Sequence, residues 1–255
     1  MKIVGTLDTK SDADLLPGVL NQKGMEELDA LFAYNDGSLD STEEILFSHP
    51  RVTAYTNHTT IPRRQWLLDK VRNEFPNEEV WIIRLEGDRF WINETPKLTV
   101  SLALDRGWDY RAGVVVDFRP TGCRIDDVHV AVAFKLTPQL IYDRARPWPS
   151  GLGTKGDYPG EHNIHEYMCY LRHEGYRTPE YWCWSYNSGN RPKPSKYPNW
   201  DLSSPEAALS TAPYQFNPSK LVQWVSFEES IEKLLSLWRE ELGQRDSNSS
   251  VRFIK

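Results

Sequence analysis

Short apolar runs alternate with helical periodicity through the first ninety residues. Runs rich in β-branched and aromatic residues, bounded by turn-forming residues, predict four buried strands. They are KIVGTL from Lys2, LDALFAY from Leu28, VTAY from Val52 and VWIIRL from Val80. Helical spacing predicts a helix in each interval, around residues 15–20 and 40–47 and from Pro62 through RRQWLLDKV. Strands that alternate with such helices pair in parallel, so we expect a single doubly wound, mainly parallel α/β sheet with helices on both faces.

The alternation weakens after residue 90. AGVVVDF and DDVHVAVAF predict two further strands, which either form a β-ribbon or extend the sheet. From Tyr142 to Trp200 the chain is rich in Pro, Gly and aromatic residues, a composition typical of an irregular segment that covers a site. A last helix is predicted over 227–242, with Ile231, Leu234, Leu235 and Trp238 on one apolar face.

No internal linker divides the chain of 255 residues. We therefore expect one domain over 1–245, with an N-terminal half at 1–92, a second half at 93–245 and a flexible tail at 246–255.

Composition narrows the class of protein. The chain carries 30 Lys and Arg against 36 Asp and Glu, a net charge of −6, which argues against a general nucleic-acid binder. No stretch approaches the roughly 18 apolar residues of a membrane span, and charge comes too early for a signal peptide. Cys123, Cys169 and Cys183 are widely spaced, as is typical of reduced thiols. We expect a soluble, cytoplasmic protein.

Polar side chains gather at the ends of three predicted strands. They are Thr6, Asp8 and Lys10 after the first, Asn35, Asp36, Ser38 and Asp40 after the second, and Glu86 and Asp88 after the fourth. In a doubly wound sheet these ends converge, and ligands bind there. Residues i and i+2 of an extended segment point the same way, so Glu86 and Asp88 are candidates to face one Mg²⁺ or Mn²⁺. Such ions complete their shell with substrate phosphates, which predicts a phosphorylated substrate.

Four segments resemble one known family in order and spacing. TLDTKSDADLLPGVL is similar to the TLxxKNExxxLxxxL of a first strand and loop, NDGSLDST to DDGSxDGT, RRQWLLDKVRNEF to a third helix, and LEGDRFW to LDxDEF. Over residues 1–92 the chain thus resembles the nucleotide-sugar glycosyltransferases of family 2, which have the GT-A fold. The resemblance implies a hexosyl- or pentosyltransferase that moves a sugar from a nucleotide diphosphate sugar to an acceptor hydroxyl.

Matched position by position, the resemblance implies contacts to the donor. Thr6 and Asp36 would lie beside the nucleotide base, and Arg63 or Arg64 near the base or the diphosphate. Glu86 and Asp88 would form the family's metal-binding motif. Asp88 would bind Mn²⁺ or Mg²⁺, and Glu86 would touch the ribose or a metal-bound water.

The chain also departs from the family pattern. The family's KNE is Lys10-Ser11-Asp12 here, the first acid of the metal motif is Glu86, and the acid after that motif is Arg89. Because Arg89 can bind phosphate directly, it lessens the need for a metal.

An inverting transfer needs a general base near the acceptor hydroxyl, and in this family the base is an Asp or Glu after the metal motif. The candidates are Asp126, Asp127, Asp157 and Glu161. We favour Asp157 or Glu161 because GLGTKGDYPGEHNIHEY is typical of a flexible polar loop, whereas Asp126 and Asp127 are expected to end a hairpin. His162 and His165 lie three residues apart, and His162 is a candidate third metal ligand.

The acceptor stays open. Bacterial and phage members of the family modify glycans, lipid-linked sugars and proteins, and some phage enzymes modify hydroxymethylated pyrimidines in DNA. The segment Tyr181–Trp200 interleaves aromatic and basic residues, which suits stacking on sugars or bases, although the same aromatics could simply pack together. The alternatives are a catalytically impaired nucleotide-binding module and a DNA-binding protein without transfer activity.

Overall fold

The computed structural model describes residues 1–57, 63–119, 122–142, 149–153, 155–156, 169–174, 178–189, 199–211 and 221–248, except the side chains of 57, 126–129 and 241–248. The strands are β1 (Lys2–Thr9), β2 (Ala30–Asn35), β3 (Ala54–Asn57), β4 (Val80–Glu86), β5 (Arg89–Trp91), β6 (Tyr110–Arg119), β7 (Gly122–Lys135) and β8 (Cys169–His173). The helices are α1 (Leu16–Asn21), α2 (Thr42–Ser48), α3 (Arg63–Glu74), α4 (Pro96–Asp105), α5 (Pro179–Asn187), α6 (Pro205–Ser210) and α7 (Phe227–Asn248), with a 3₁₀ turn at Met25–Glu27.

The strands described form one sheet in the order β3-β2-β1-β4-β7-β6-β8-β5. The strands predicted from the first ninety residues are its parallel part, since β1 pairs in parallel with β2 and β4, and β2 with β3. β7 joins β4 antiparallel, and β5 joins β8 antiparallel. The α/β fold class is therefore confirmed, and the two strands predicted after residue 90 extend the sheet.

Apolar side chains alternate between the two faces of the parallel strands. Ile3 and Leu7 of β1 and Ile83 of β4 lie on one face, which is covered by α1, α2 and α4. Val4 and Ile82 lie on the other face, which is covered by α3. We call these the α1 face and the α3 face. Helices thus cover both faces, as the periodicity predicts, because successive side chains of a strand point to opposite sides.

Helix α4 is an element that the hydrophobic pattern did not predict. Its first turn is capped by Thr95, whose hydroxyl accepts a hydrogen bond from the Leu98 amide, with Pro96 in the first helical turn. The buried Glu94 just before it pairs with the buried Arg111 of β6 and accepts a hydrogen bond from the Thr99 hydroxyl at 2.7 Å. This pair ties the start of α4 to the sheet.

Two compact units are distinguished by their internal contacts. One contains Met1–Val115, Val128–Tyr158 and Cys169–Glu174, and the other Val116–Asp127, Pro159–Met168 and Gly175–Lys255. The expected single domain over 1–245 stays a prediction. None of the helices in the described ranges is long and apolar enough to cross a membrane.

The second unit has an aromatic core. Trp182 of α5 meets Trp200 edge to face at 5.4 Å between ring centroids, and the Trp200 indole donates a hydrogen bond to the Ala208 carbonyl of α6. Both tryptophans are buried. These aromatics of the segment Tyr181–Trp200 therefore pack against one another, as in the second of its two interpretations. The basic residues of the segment, Arg191, Lys193 and Lys196, lie outside the described residues.

Helix α7 confirms the last predicted helix and is longer than predicted. Ile231, Leu234 and Leu235 are buried, as the apolar face predicts. The helix continues to Asn248, past the predicted end at Leu242 and into the start of the expected tail.

Candidate functional site

The polar site lies where β1 and β4 end side by side. In the parallel register of these strands Thr6 is opposite Arg84, and Asp8 is opposite Glu86. All four positions belong to the alternation that points to the α3 face, which is apolar at Val4 and Ile82 and becomes polar at the carboxyl ends of the strands. Helix α3 begins above this edge with Arg63 and Arg64.

Two arginines of α3 connect the strand ends by ion pairs. Arg63 Nε lies 3.0 Å from Asp8 Oδ2, and its Nη1 donates to Asp36 Oδ2 at 2.6 Å. Arg64 Nε donates to the same Asp8 oxygen at 3.3 Å, and its Nη2 lies 3.8 Å from Glu86 Oε1. Lys10 Nζ lies 3.9 Å from Asp36. The ends of β1, β2 and β4 are thus joined in one charged network.

Glu86 is the meeting point of three guanidinium groups. Arg84 Nη2 donates to Glu86 Oε1, next to the Arg64 contact, and Arg89 Nη2 lies 3.2 Å from Oε2. The Arg84 side chain is only 8% exposed and that of Glu86 18%, so this pair is largely shielded from water. Each carboxylate oxygen of Glu86 therefore faces at least one arginine.

The two carboxylates opposite each other in the register have pKa values shifted in opposite directions. Burial raises the pKa of Asp8, and the nearby Arg63 and Arg64 offset this only in part. Burial also acts on Glu86, but Arg89, Arg84 and Arg64 together outweigh it and lower the pKa of Glu86 to about 2. Glu86 is thus firmly ionised, whereas ionisation of Asp8 in the folded chain is disfavoured by its burial.

Tyr142 completes the site from a distant part of the chain. Its backbone amide donates to the Gln65 side chain at 2.9 Å, and Arg72 donates to the carbonyls of Thr137 and Leu140. Helix α3 therefore fixes this segment, and the Arg64 guanidinium lies 5.8 Å from the centre of the Tyr142 ring.

A small cavity of about 10 Å³, room for about one water molecule, lies between these groups. Its lining residues are Thr6, Asp8, Arg64, Leu67, Arg84, Leu85 and Tyr142.

The loops after β1 and β2 are held together by short hydrogen bonds. Ser11 has a left-handed φ of 53°, its amide donates to the Ser38 hydroxyl at 2.8 Å, and its own hydroxyl accepts from the Leu39 amide. Gly37 has a φ of 69°, which glycine adopts without strain, in the turn that follows Asp36. These contacts position Asp36 beside Arg63.

Asp40 and Asp12 have structural roles in the same loops. Asp40 accepts hydrogen bonds from the amide and hydroxyl of Thr42, the first residue of α2. Asp12 accepts from the Thr9 hydroxyl at 2.8 Å and from the Lys10 amide at 3.0 Å. Through these contacts both carboxylates stabilise the loops at the strand ends.

A tight turn separates Glu86 from Asp88. The space where a side chain would leave Gly87 is filled by the side chains of Thr9 and Asp12, so this glycine serves close packing. Beyond the turn, Asp88 Oδ2 lies 3.3 Å from His173 Nε2 on β8, and the Asp88 carbonyl accepts from the Glu174 amide. Asp88 thus contacts β8 and the residue that follows it, whereas the ion pairs of Glu86 come from β4, α3 and β5.

A divalent cation does not fit the donor set at Glu86. Among the described residues no three His, Cys, Asp or Glu side chains are grouped to hold a metal ion. Glu86 is surrounded by guanidinium groups, which repel a cation and occupy both carboxylate oxygens. The predicted metal at Asp88 and Glu86 stays a prediction.

The residues that the sequence predicts to contact the donor lie together in the structure. Thr6, Asp36, Arg63, Arg64 and Glu86 all lie at this strand edge. The candidate bases Asp157 and Glu161 and the candidate ligand His162 lie outside the described residues. Asp126 and Asp127 lie within β7 rather than at the hairpin end, because that strand begins at Gly122.

Sequence reasoning missed two residues of the site. Arg84 is a charged residue inside the apolar run VWIIRL, two positions before Glu86, and this pattern places both side chains on one face. Tyr142 gave no such signal, because its position depends on contacts with α3 far away in the sequence.

Neither a protein-family model nor a curated protein matches the chain. Among solved structures, the chain is similar to S. aureus TarS 1-349 in complex with UDP, at 15% identity and a TM-score of 0.37, over 47% of this chain and 37% of that one. TarS 1-349 in complex with UDP-GlcNAc matches at 15% identity and a TM-score of 0.34, over 47% and 36%. HddC from Yersinia pseudotuberculosis matches at 10% identity and a TM-score of 0.31, over 53% and 73%. The aligned region is about half of this chain and less than two fifths of the TarS chains.

Proposed function

We propose that the chain is a glycosyltransferase that uses a nucleotide diphosphate sugar as donor and transfers the sugar to an acceptor hydroxyl. One observation supports this most strongly. The five residues that the sequence resemblance assigns to the donor, Thr6, Asp36, Arg63, Arg64 and Glu86, come from β1, β2, α3 and β4 and meet at the carboxyl ends of parallel strands. In open α/β sheets this edge is where ligands bind.

The chemistry of the site suits a departing diphosphate. Cleavage of the anomeric C–O bond leaves negative charge on the phosphate oxygens, and preorganised cations stabilise that charge in the transition state. Arg63 and Arg64 stand at the start of α3, and Arg84 and Arg89 flank Glu86. Planar guanidinium groups bind phosphate oxygens with two parallel hydrogen bonds.

Two parts of the reaction rest on the resemblance alone. In an inverting transfer, one of the two stereochemical outcomes open to this fold, the general base would be Asp157 or Glu161, which would take the proton of the acceptor hydroxyl. The acceptor would be a glycan, a lipid-linked sugar, a protein or modified DNA. The family's Mn²⁺ or Mg²⁺ would supply Lewis acidity at the diphosphate, but because Glu86 does not fit such an ion, no step is written through it.

A donor screen tests the proposal. The melting temperature of the purified chain is measured with UDP-, GDP- and CMP-sugars, with and without Mn²⁺, and released nucleotide is measured with pooled acceptors. A ligand that binds only the native state raises the melting temperature. We expect one nucleotide sugar to do so and to release its nucleotide. Arg51→Gln, which changes an exposed arginine outside the site, should show the same shift and the same release as wild type.

Two results would contradict the proposal. If no nucleotide sugar shifts the melting temperature, the strand edge does not bind such a donor. If a donor binds but is never hydrolysed or transferred with any acceptor pool, the chain is the nucleotide-binding module that was the alternative.

A further inference from the structure

The guanidinium groups around Glu86 carry more N–H donors than this carboxylate has acceptor positions. Arg64, Arg84 and Arg89 reach it from α3, β4 and β5. Each guanidinium carries five N–H donors in a fixed plane, whereas one carboxylate offers about four acceptor positions. Donors from three arginines are therefore concentrated at one strand end, held in place by a carboxylate that cannot accept all of them.

The network also carries an excess of positive charge. Five cationic side chains and three carboxylates are joined by ion pairs, which leaves two positive charges in excess; the members are Lys10, Arg63, Arg64, Arg84, Arg89, Asp8, Asp36 and Glu86. Asp88 acts electrostatically on Glu86, and the Asp12 carboxylate packs against Gly87 between the two, so the excess of positive charge is concentrated around Glu86 itself. There three guanidinium groups face one carboxylate, an arrangement that attracts an anion and repels a divalent cation.

Burial strengthens both effects. Arg84, Arg89 and Arg64 are 8%, 16% and 22% exposed, so their charges are only partly screened by water. Arg89 follows Asp88 directly and places a further positive charge next to the strand end. This charge disfavours a cation and favours an anion.

We propose that Arg64, Arg84 and Arg89, organised by Glu86, bind the diphosphate of the donor in place of a divalent metal ion. This inference rests on the proposed function for the identity of the ligand. Its own content is that phosphate binding at this strand end is independent of metal.

Calorimetric titration of pyrophosphate, UDP and GDP into the full chain tests the inference. Each titration is made once in EDTA and once in Mn²⁺. We expect the wild-type chain to bind at least one of these ligands equally well in both buffers. Arg89→Gln is expected to weaken binding by about tenfold to a hundredfold, because a charge-assisted hydrogen bond is lost.

Two further variants separate ligand binding from folding. Arg89→Lys keeps the charge but not the planar fork, so it should lose less affinity than Arg89→Gln. Arg51→Gln removes an exposed arginine elsewhere and should bind like wild type. Melting curves without ligand show whether each variant is folded, and Arg64→Gln replaces Arg89→Gln if the latter is not.

The outcomes distinguish this inference from the proposed function. Binding of UDP or GDP only in Mn²⁺ overturns the inference and leaves the glycosyltransferase proposal standing. Equal affinity of wild type and Arg89→Gln in EDTA also overturns it. Metal-independent binding of pyrophosphate without turnover of any nucleotide sugar supports the arginine site and contradicts the proposed function.

Discussion

The two faces of strands β1 and β4 share one backbone but have different roles. The α1 face remains apolar along both strands, through Leu7 of β1 and Leu85 of β4. The α3 face is apolar only at first, and at the same height along the strands it carries Asp8 and Glu86. Neighbouring residues of one strand therefore experience an apolar core on one side and a charged site on the other.

This difference shows how a sheet can carry a site without losing its core. The apolar α1 face contributes burial, roughly 25 cal/mol for each Å² of apolar surface removed from water. The charged end of the α3 face contributes less, since desolvation of ions offsets much of their attraction. We therefore expect substitutions on the α1 face to cost more stability than those on the α3 face, and only those on the α3 face to change ligand binding.

The largest expected effect is that of a charge placed on the α1 face. Ile83 is fully buried there, one residue before Arg84. Ile83→Lys would bury an ammonium group among apolar side chains with no carboxylate opposite it, a mechanism that costs more than about 4 kcal/mol. Urea denaturation of Ile83→Lys, monitored by circular dichroism, should show loss of the cooperative unfolding transition. Leu104→Lys, on the exposed side of α4, should stay within about 0.5 kcal/mol of wild type.

A smaller effect is expected for Glu86→Gln, and it depends on pH. Because the pKa of Glu86 is lowered to about 2 in the folded chain, against about 4.3 when unfolded, its ionisation contributes about 3 kcal/mol at pH 7. That contribution is complete above about pH 4.5 and is lost as the pH falls towards 2. The difference in unfolding free energy between wild type and Glu86→Gln should therefore shrink from pH 7 to pH 3.

Asp8→Asn is the matched contrast on the neighbouring strand. Burial raises the pKa of Asp8, so its ionisation opposes folding above that pKa. We expect Asp8→Asn not to lower the unfolding free energy at pH 7, in contrast to Glu86→Gln. Similar losses for both variants would show that the two carboxylates contribute to stability in the same way.

Periodicity was sufficient to predict the parallel part of the sheet, because each of its elements has a local signal. The buried run VWIIRL predicts β4 to within one residue, and the alternation of strands and helices predicts the parallel order. The site edge follows from that order. The polar residues after each strand meet there because parallel strands end on the same side.

The remaining elements depend on contacts between distant residues. β5 is only three residues long, too short for a clear local pattern. It pairs with β8, more than 75 residues further along the chain, so its place in the sheet depends on a non-local contact. Tyr142 reaches the site only because Arg72 and Gln65 fix its segment on α3. Helix α4 is different, since Thr95 and Pro96 are a local start signal that apolar periodicity alone overlooks.

The smallest expected change in stability accompanies Asp36→Asn on the α3 side of the site. Asp36 and Arg63 lie 2.6 Å apart with side chains 33% and 40% exposed, and such a pair contributes about 1 kcal/mol or less. If Asp36 contacts the nucleotide, as proposed, the affinity for the donor found in the screen should nevertheless fall about tenfold or more.

A second ion pair of nearly the same geometry provides the control for Asp36→Asn. Glu79 and Lys135 also lie 2.6 Å apart, with side chains 45% and 41% exposed, but Glu79 precedes β4 at the amino end of the strand. Glu79→Gln should change the unfolding free energy as little as Asp36→Asn does and should leave donor affinity unchanged. Equal donor affinity in both variants would remove Asp36 from the site, because the two pairs differ chiefly in the end of the parallel sheet at which they lie.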